Sequence, residues 1–381
     1  MSSFESSVTN MPNARIDFAI PGPISDAQST AIEAACVRVI NSGRYVLADE
    51  VAAFEKDWAA YVGAPESVGV ASGLDALEIS MRALGIGSGD EVIVPAVSAM
   101  ATALAVLRSG ATPVFCDVTA GTALIDLEQV EELTTRRTRA VVPVHLYGRA
   151  VDMASMSEWA ESLNIAVIED AAQAHGAVSG GRSIGTWGDA SAFSFYPTKN
   201  LGALGDAGAI TSTRADVVEA ARSLRNYGQR AQYDHVDLGM NSRLDEIQAA
   251  ILSARLPDLA VATHERQSIA AQFFRSISNP LVRLPQEPSA VDEYVAHLFV
   301  VNVNDRKQFM DHMTNAGIGC LVHYPKALPD QPALGLIGIG EEPLPVARWH
   351  VDTCVSIPCR PGLTDGEVER IIDAVNSYEA S

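Results

Sequence analysis

The sequence predicts an α/β fold, with a mostly parallel sheet held between helices and a smaller C-terminal α/β domain behind it. Three observations carry this expectation. From about residue 66 to residue 213 short β-rich runs alternate with helical stretches, the spacing of a parallel sheet covered on both faces. The hydrophobic fraction is 48% against 19% charged, enough apolar surface to bury such a sheet and too much for a disordered chain. At 381 residues the chain exceeds one average domain of about 100–200 residues, which leaves room for a second unit.

The first helix opens with Ser25 or Asp26 as its N-cap, carries Ile32, Ala35, Cys36, Val39 and Ile40 on one stripe, and stops at Asn41-Ser42-Gly43. A second stripe, Val51, Phe54, Trp58 and Tyr61, ends at Gly63. Strands are then expected at 68–70, 91–95, 113–118, 140–146 and 165–168, with helices over 74–84, 102–109, 127–133 and 156–163 between them. The runs 191–196 and 209–213 are separated only by a loop and continue the sheet. From Val217 the pattern turns helical. The helical region 242–277 breaks at Leu256-Pro257, where proline marks a boundary. This places one domain at 1–257 and a second at 258–381, the latter with a strand over 297–303 and helices over 306–316 and 364–378.

Net charge is −20, from 27 basic and 47 acidic residues, which repels phosphate backbones and anionic membranes and leaves no basic stripe for nucleic acid. Any anionic ligand must therefore be held by a local site. Apolar runs of about six to eight residues fall short of the roughly 20 that span a bilayer. Residues 1–12 contain Glu5 and no basic residue, unlike a secretory signal, so a cytoplasmic location is expected. Cys36, Cys116, Cys320, Cys354 and Cys359 form no CxxC pair and read as small core residues, not as a metal knuckle or disulfide framework. Only four lysines, Lys56, Lys199, Lys307 and Lys326, accompany the arginines, so lysine chemistry has four candidates.

In open α/β sheets ligands sit beyond the carboxyl ends of the strands. The apolar run 165–168 ends in Glu169-Asp170-Ala171-Ala172-Gln173, which brings an acidic pair to the cleft. A carboxylate buried there needs a cationic or hydrogen-bonding partner, although a helix cap accounts equally well for Asp170 seen alone. Lys199 directly follows the run Ser194-Phe195-Tyr196-Pro197-Thr198, an apolar strand-end setting. Lys56 and Lys307 read as surface residues and Lys326 stays open. A lysine kept in an apolar pocket has a lowered pKa and attacks aldehydes. The turn Ser72-Gly73-Leu74 joins a strand to a helix start, where backbone N–H groups bind phosphate without any basic side chain. Pocket lysine, strand-end carboxylate and phosphate turn together describe a pyridoxal 5′-phosphate (PLP) site.

Six segments extend that description: 71–77, 83–95, 143–148, 169–176 (Glu-Asp-Ala-Ala-Gln-Ala-His-Gly), 193–201 (Phe-Ser-Phe-Tyr-Pro-Thr-Lys-Asn-Leu) and 239–250 (Gly-Met-Asn-Ser-Arg-Leu-Asp-Glu-Ile-Gln-Ala-Ala). In order and density they resemble the DegT/DnrJ/EryC1 family of PLP-dependent sugar aminotransferases, over roughly residues 18–378. Segments 202–208 and 225–228 look closest to members that aminate C3 of nucleotide-linked keto-deoxysugars. The resemblance implies a fold-type I aminotransferase. In it Lys199 forms the Schiff base, Asp170 pairs with the pyridine nitrogen, and Gln173 contacts the ring hydroxyl. Ser194, with the Ser72-Gly73-Leu74 turn, holds the phosphate, and Asn241 reaches the phosphate of the neighbouring subunit in a shared-site homodimer. Asn241-Ser242 also reads as the N-cap of the next helix, and both roles can hold. His175 reads as structural.

The sequence departs from the family in three places. Ala99 stands where an aromatic residue usually covers the cofactor ring. The segment 323–332 keeps His-Tyr-Pro and Gln-Pro but changes what lies between them. Cys359-Arg360 replaces a common Met-Tyr pair. The expected activity is amino transfer from glutamate or glutamine to a keto-sugar nucleotide in amino-sugar or antibiotic biosynthesis. The alternatives are a carbocyclic acceptor (aminocyclitol or aminohydroxybenzoate formation) and a catalytically silent homologue that stabilises a partner enzyme.

Overall fold

A computed structural model describes residues 15–336 and 343–380. The secretory-signal reading of residues 1–12 lies outside them. Among the described residues no helix is long and apolar enough to cross a membrane.

The chain opens with α1 (Asp26–Ser42), capped by Ser25 Oγ on the N–H of Gln28 and closed by Gly43 in the left-handed region, and α2 (Asp49–Val62), closed by Gly63 in the same way. Then β and α elements alternate: β1 (Glu66–Val70), α3 (Gly73–Ala83), β2 (Glu91–Pro95), α4 (Met100–Ser109), β3 (Thr112–Cys116), α5 (Leu127–Leu133), β4 (Thr138–Val141), α6 (Met153–Leu163) and β5 (Ala166–Asp170). A small hairpin, β6 (Val178–Ser179) and β7 (Arg182–Ser183), precedes β8 (Ala190–Ser194) and β9 (Gly208–Ser212). These build a seven-stranded sheet in the order β1-β9-β8-β5-β4-β2-β3. Only β9 runs against its neighbours β1 and β8; every other pairing is parallel. The β4 run is shorter than its apolar sequence suggests. After Val141 the chain leaves the ladder for a turn in which Tyr147 adopts φ +61°, and Val144 keeps one bridge to Asp170.

After α7 (Ala215–Leu224) and the hairpin β10 (Gln229–Ala231) and β11 (Asp234–His235), α8 (Glu246–Arg255) runs through one 3-10 turn at Pro257 into α9 (Leu259–Ser276). A second sheet is antiparallel, in the order β12 (Val282–Arg283), β13 (Phe299–Val303), β14 (Cys354–Ile357). It packs with α10 (Arg306–Asn315) and α13 (Asp365–Asn376) around Phe273, Phe299, Phe309 and Ile371. Between these, α11 (Pro332–Gly335) and α12 (Pro345–Thr353) turn back, and Leu328, Leu334, Ala347 and Val351 join the core of the large sheet. The hairpins, β12, β14, α11 and α12 are too short or too polar in pattern to stand out in the sequence.

Long-range carboxylates close the helix ends that local caps leave open. Ala48 offers no side chain to α2, and Glu246 of α8 accepts instead from the N–H groups of Ala48, Glu50 and Val51 at 2.6, 2.8 and 3.2 Å. Asp117, just past β3, does the same for Val346 and Ala347 of α12 at 2.9 and 2.6 Å. These bonds satisfy orphan donors and place negative charge at positive helix termini.

The most heavily used carboxylate is Glu169 in β5, fully buried. It accepts five hydrogen bonds: from the N–H groups of Gly185 (3.0 Å), Trp187 (2.9 Å) and Gly188 (2.9 Å), from Ser191 Oγ (2.6 Å) and from His145 Nε2 (3.3 Å). Val151 N–H donates to His145 Nδ1, so the ring proton sits on Nε2 and points at Glu169. Burial pushes this carboxyl's pKa up, but the bonds from His145, Ser191 and Gly185 outweigh it and hold the pKa below the ordinary 4.5. Such a group stabilises the fold fully above its unfolded pKa, and the contribution drains as pH falls through the lower folded value. Glu169→Leu should therefore lose on the order of 3–5 kcal/mol in urea unfolding at pH 7, because buried donors are left unpaired. Glu169→Gln should unfold with a weaker loss of stability below pH 4.5 than the parent; parallel acid-unfolding curves would refute the assignment.

Candidate active site

The carboxyl ends of β1, β2, β5 and β8 lie on one side of the sheet, and Ser72, Ser98, Asp170 and Ser194 stand at or just past them. Because successive strand residues face opposite ways, Glu169 anchors one face of β5 while Asp170 is delivered to the other. Asp170 is 6% exposed. Its Oδ2 accepts from Thr102 Oγ1 (2.9 Å), which in turn shares a 2.7 Å hydrogen bond with Ser98 Oγ, and its Oδ1 accepts from Ala172 N–H (3.2 Å). Burial pushes the Asp170 carboxyl above its ordinary value, and Thr102, Ala172 and the charge of Lys199 only partly offset this. The site is short of positive charge, which a protonated ring nitrogen would supply.

Lys199 sits in the loop after β8 and lines a cavity of about 260 Å³ with Gln173, Tyr196, His297, His323 and Tyr324. Lys56, Lys307 and Lys326 are exposed, so the structure resolves the open reading of Lys326 as surface. Burial pulls the Lys199 amine down to about 8, against the opposing pull of Asp170. Near neutral pH a useful fraction is the unprotonated nucleophile. The same burial, with the Lys199 charge behind it, keeps His175 (about 3) and His323 (about 4) neutral. His175 stacks on Phe193 and Phe195 and meets Trp58 edge-on, inside an aromatic cluster.

Gln173 is fixed by its Oε1, which accepts from Tyr147 N–H at 2.6 Å, so its Nε2 points to Tyr324 OH at 3.1 Å and to the cavity. The positive φ of Tyr147 is what turns that N–H inward, and Gly148 beside it has no room for a Cβ, which would lie 2.8 Å from Val295 and 2.9 Å from Gln173 O. Tyr147 OH is shared with His323 O and His350 Nε2.

The phosphate turn is built by close approach. Ser72 caps α3 through Oγ on Asp75 N–H (3.2 Å), leaving the N–H groups of Gly73 and Leu74 at the helix start without intrahelical acceptors. A Cβ on Gly73 would fall 2.7 Å from Ser194 Cβ, and one on Gly208 2.5 Å from the Ser72 backbone. Only glycine lets the turn, β8 and β9 meet this tightly. Ser242 ties the turn to the α8 side, accepting from Ala71 N–H and donating to Asp75 Oδ2 (3.1 and 2.8 Å). Asn241 itself is exposed, its backbone bridged to Asn226, so this chain does not bring its side chain into the cavity. Ala99 precedes α4 and offers no side-chain cap; the rings that line the cavity are Phe18, Tyr196 and Tyr324 with His297 and His323.

Sequence reasoning missed Thr102 and Ser98, although both lie in the segment whose Ala99 drew notice, as hydroxyls at the start of an otherwise apolar helix. Tyr147 lies within the segment 143–148, but nothing in that segment marks its N–H as the partner of Gln173; Phe18, His297 and Arg266 lie far along the chain from the main motifs and carry no local signal. Buried carboxylate, low-pKa lysine and a glycine-walled turn all fit PLP. Asp170 and Gln173 would hold its ring, Lys199 its aldehyde carbon, and the Ser72-Gly73-Leu74 turn with Ser194 its phosphate.

Comparison with known proteins agrees. Residues 26–376 match the DegT/DnrJ/EryC1/StrS aminotransferase family. The chain is 45% identical over 349 residues to dTDP-3-amino-3,6-dideoxy-alpha-D-galactopyranose transaminase of Aneurinibacillus thermoaerophilus, covering 91% of this chain and 95% of that one. It is 43% identical to dTDP-3-amino-3,4,6-trideoxy-alpha-D-glucose transaminase of Streptomyces venezuelae, covering 91% of each. Its fold superposes on the crystal structure of S. venezuelae DesV, in complex with a ketimine intermediate, with a TM-score of 0.92 at 41% identity, over 95% of this chain and 98% of that one. NtdA of Bacillus subtilis, solved with bound PMP, gives a TM-score of 0.86 at 28% identity, over 96% and 86% of the two chains. With this fold and this site, the chain belongs to the DegT/DnrJ/EryC1/StrS aminotransferase family and is a PLP-dependent aminotransferase.

Proposed function

We propose that the enzyme moves an amino group from glutamate or glutamine to C3 of a dTDP-linked keto-deoxysugar, working as a homodimer with shared sites. The observation that carries the reaction class is the pairing of a buried Lys199, its pKa lowered by burial, with a buried Asp170 at the carboxyl ends of one sheet. The sugar nucleotide is supported by relatives named for dTDP-3-amino sugars at 45% and 43% identity. PLP, when bound, supplies an electron-withdrawing ring beside the carbon that exchanges the amine.

The chain's residues do the rest. Asp170, held by Thr102 and Ala172, keeps its charge aimed at the ring nitrogen, a charge-assisted bond in a dry site. Lys199 Nζ, with its pKa near 8, takes the proton from the donor's α carbon and returns it on the other side of the exchange. Gln173 Nε2 is oriented to donate to the ring hydroxyl because its Oε1 is already committed to Tyr147. The neutral imidazoles of His297 and His323 wall the cavity without adding charge that would repel a protonated amine.

For the dimer, Asn241 supplies the phosphate contact to the partner subunit. Ile40 (60% exposed), Tyr45 (55%), Val46 (47%) and Tyr227 (46%) expose apolar surface on the elements next to it, and Val46 bridges Asp245. An apolar patch of that kind on a soluble enzyme supports an interface.

Incubation with a panel of keto-sugar nucleotides and cyclitol ketones plus glutamate or glutamine, read by product mass, tests the reading. A dTDP-3-amino sugar is expected, and amination of cyclitols alone would overturn it. Borohydride should fix the cofactor on the Lys199 peptide, and in protein stripped of cofactor the rate of PLP uptake should rise with pH to a half-maximum near 8, where the free amine forms. Asp170→Asn should keep cofactor while turnover falls by about 10²-fold or more. A label on Lys326, or near-normal turnover in Asp170→Asn, contradicts these roles. Mixing inactive Lys199→Ala with inactive Asn241→Asp should regenerate activity, since some mixed dimers carry one intact site; full activity of Asn241→Asp alone, or demonstrated subunit exchange without recovery, rules out the shared site.

A further inference from the structure

The Lys199 cavity has an unusual charge balance for so acidic a protein. Its lining includes two guanidiniums, Arg266 and Arg360, and among the described residues no Asp or Glu. One edge of Arg266 is spent on the main chain: its Nη1 donates to the carbonyls of Cys359 (2.6 Å), His297 (3.3 Å) and Ala296 (3.5 Å), while its buried Nε has no partner among the described residues. By fixing Cys359 O it sets the backbone immediately before Arg360. Arg360 is not spent. Its Nε donates to Asp17 O (3.1 Å) and its Nη1 to Pro361 O (3.2 Å), and among the described residues its Nη2 has no partner.

Among the described residues no carboxylate forms an ion pair with Arg360. The two acids whose charges reach it, Glu367 and Asp17, are committed elsewhere. Asp17 pairs with Arg15 at 3.2 Å, and Glu367 closes the cap of α13 on Thr364 N–H and Oγ1. Burial pushes both guanidinium pKa values below the usual arginine range, yet both stay charged. A half-buried guanidinium with a free N–H edge and no counter-charge is a site for an anion supplied from outside.

We propose that Arg360 holds a carboxylate of the amino-acid donor on the wall of the Lys199 cavity, with Arg266 as the positioning residue behind it. The inference rests on the transaminase reading and deepens it. Reach selects the donor over the acceptor, because a donor's α-carboxylate is bonded directly to the carbon that carries the amine. A donor's carboxylates lie within a few bonds of its amine. In a dTDP-sugar that reacts at C3 the nearest phosphorus is four bonds from the reacting carbon, through C2, C1 and the glycosidic oxygen. The planar fork of arginine meets a carboxylate with two parallel bonds, which tyrosine cannot do.

The test uses PLP-loaded protein and two unreactive probes, glutarate for the donor's carboxylates and dTDP for the acceptor's diphosphate, titrated by calorimetry. Arg360→Tyr should weaken glutarate about tenfold or more, the loss of a charged hydrogen-bonded pair, and leave dTDP within about twofold. Arg360→Lys, which keeps charge but not the fork, should fall between. In stopped-flow spectra, KM for glutamate in the first half-reaction should rise by a similar factor while amine return to the keto-sugar nucleotide is unchanged. Unchanged glutarate affinity in both variants, no glutarate binding by the parent, or a larger loss for dTDP than for glutarate each overturns the assignment. If the parent takes an amine from no amino acid, the transaminase reading falls; if it does and both variants match it, only the role of Arg360 falls.

Discussion

The fold and the chemistry hang on two adjacent acids at the end of one strand. Glu169 and Asp170 are consecutive in β5, so strand geometry sends them to opposite faces. Burying two carboxylates side by side is costly, and the structure meets the cost differently on each face. Glu169 is surrounded by five donors and ties the 185–191 turn to His145, which fixes where β8 begins. Asp170 receives only Thr102 and one N–H, and is left incomplete toward the cleft. Because β8 is set by the first acid, Lys199 a few residues past its end is set too, and the second acid then acts on it electrostatically. The satisfied carboxylate positions; the unsatisfied one is left facing the cleft.

Phosphate recognition follows the same economy of charge. With a net charge of −20 the protein cannot rely on a basic surface to gather an anion. In the proposed site the backbone N–H groups at the start of α3 take that part, drawn close to β8 and β9 because Gly73 and Gly208 have no Cβ. Of the four lysines three are on the surface, and burial pulls the amine of the one inside down to about 8.

Much of this was legible in the sequence, and the reason is local. Strand, turn and helix in residues 66–83 follow each other within one stretch, so period, cap and phosphate turn are all read from neighbours, and Glu91–Pro95 and Leu127–Leu133 fall where their patterns place them. Lys199 stood out because its apolar, strand-end context is written in the residues before it. The reversal of β9 was not legible. Its apolar run looks like any other buried strand, and direction is decided by the loop that returns it between β1 and β8. Nor were Glu246 and Asp117 as helix caps, since each acts on a helix about 200 residues or more away, a contact that only the folded chain creates. Tyr147 and Thr102 belong to the same class: ordinary residues made functional by the partner that the fold puts opposite them.

The cavity is closed by segments remote from those motifs, and this bears on how one site can serve two unlike substrates. Ile16 bridges Ile318, Phe18 stacks on His323 at 5.6 Å, and Arg360 clamps Asp17 O, so the start of the described chain is stitched to the second sheet and forms a wall over Lys199. Donor and acceptor must each present a carbon to the same amine in turn, so the inner cavity can be shaped for only what they share, a carbon bearing nitrogen or oxygen. Whatever distinguishes them has to be read from the rim and wall. The segments 323–332 and 356–361 supply part of that wall through His323, Tyr324, Cys359 and Arg360. The main chain there is held independently of the side chain at position 360, since Arg266 donates to Cys359 O. A new side chain at position 360 can therefore alter which anion is welcome without disturbing the lysine or the acid that do the chemistry.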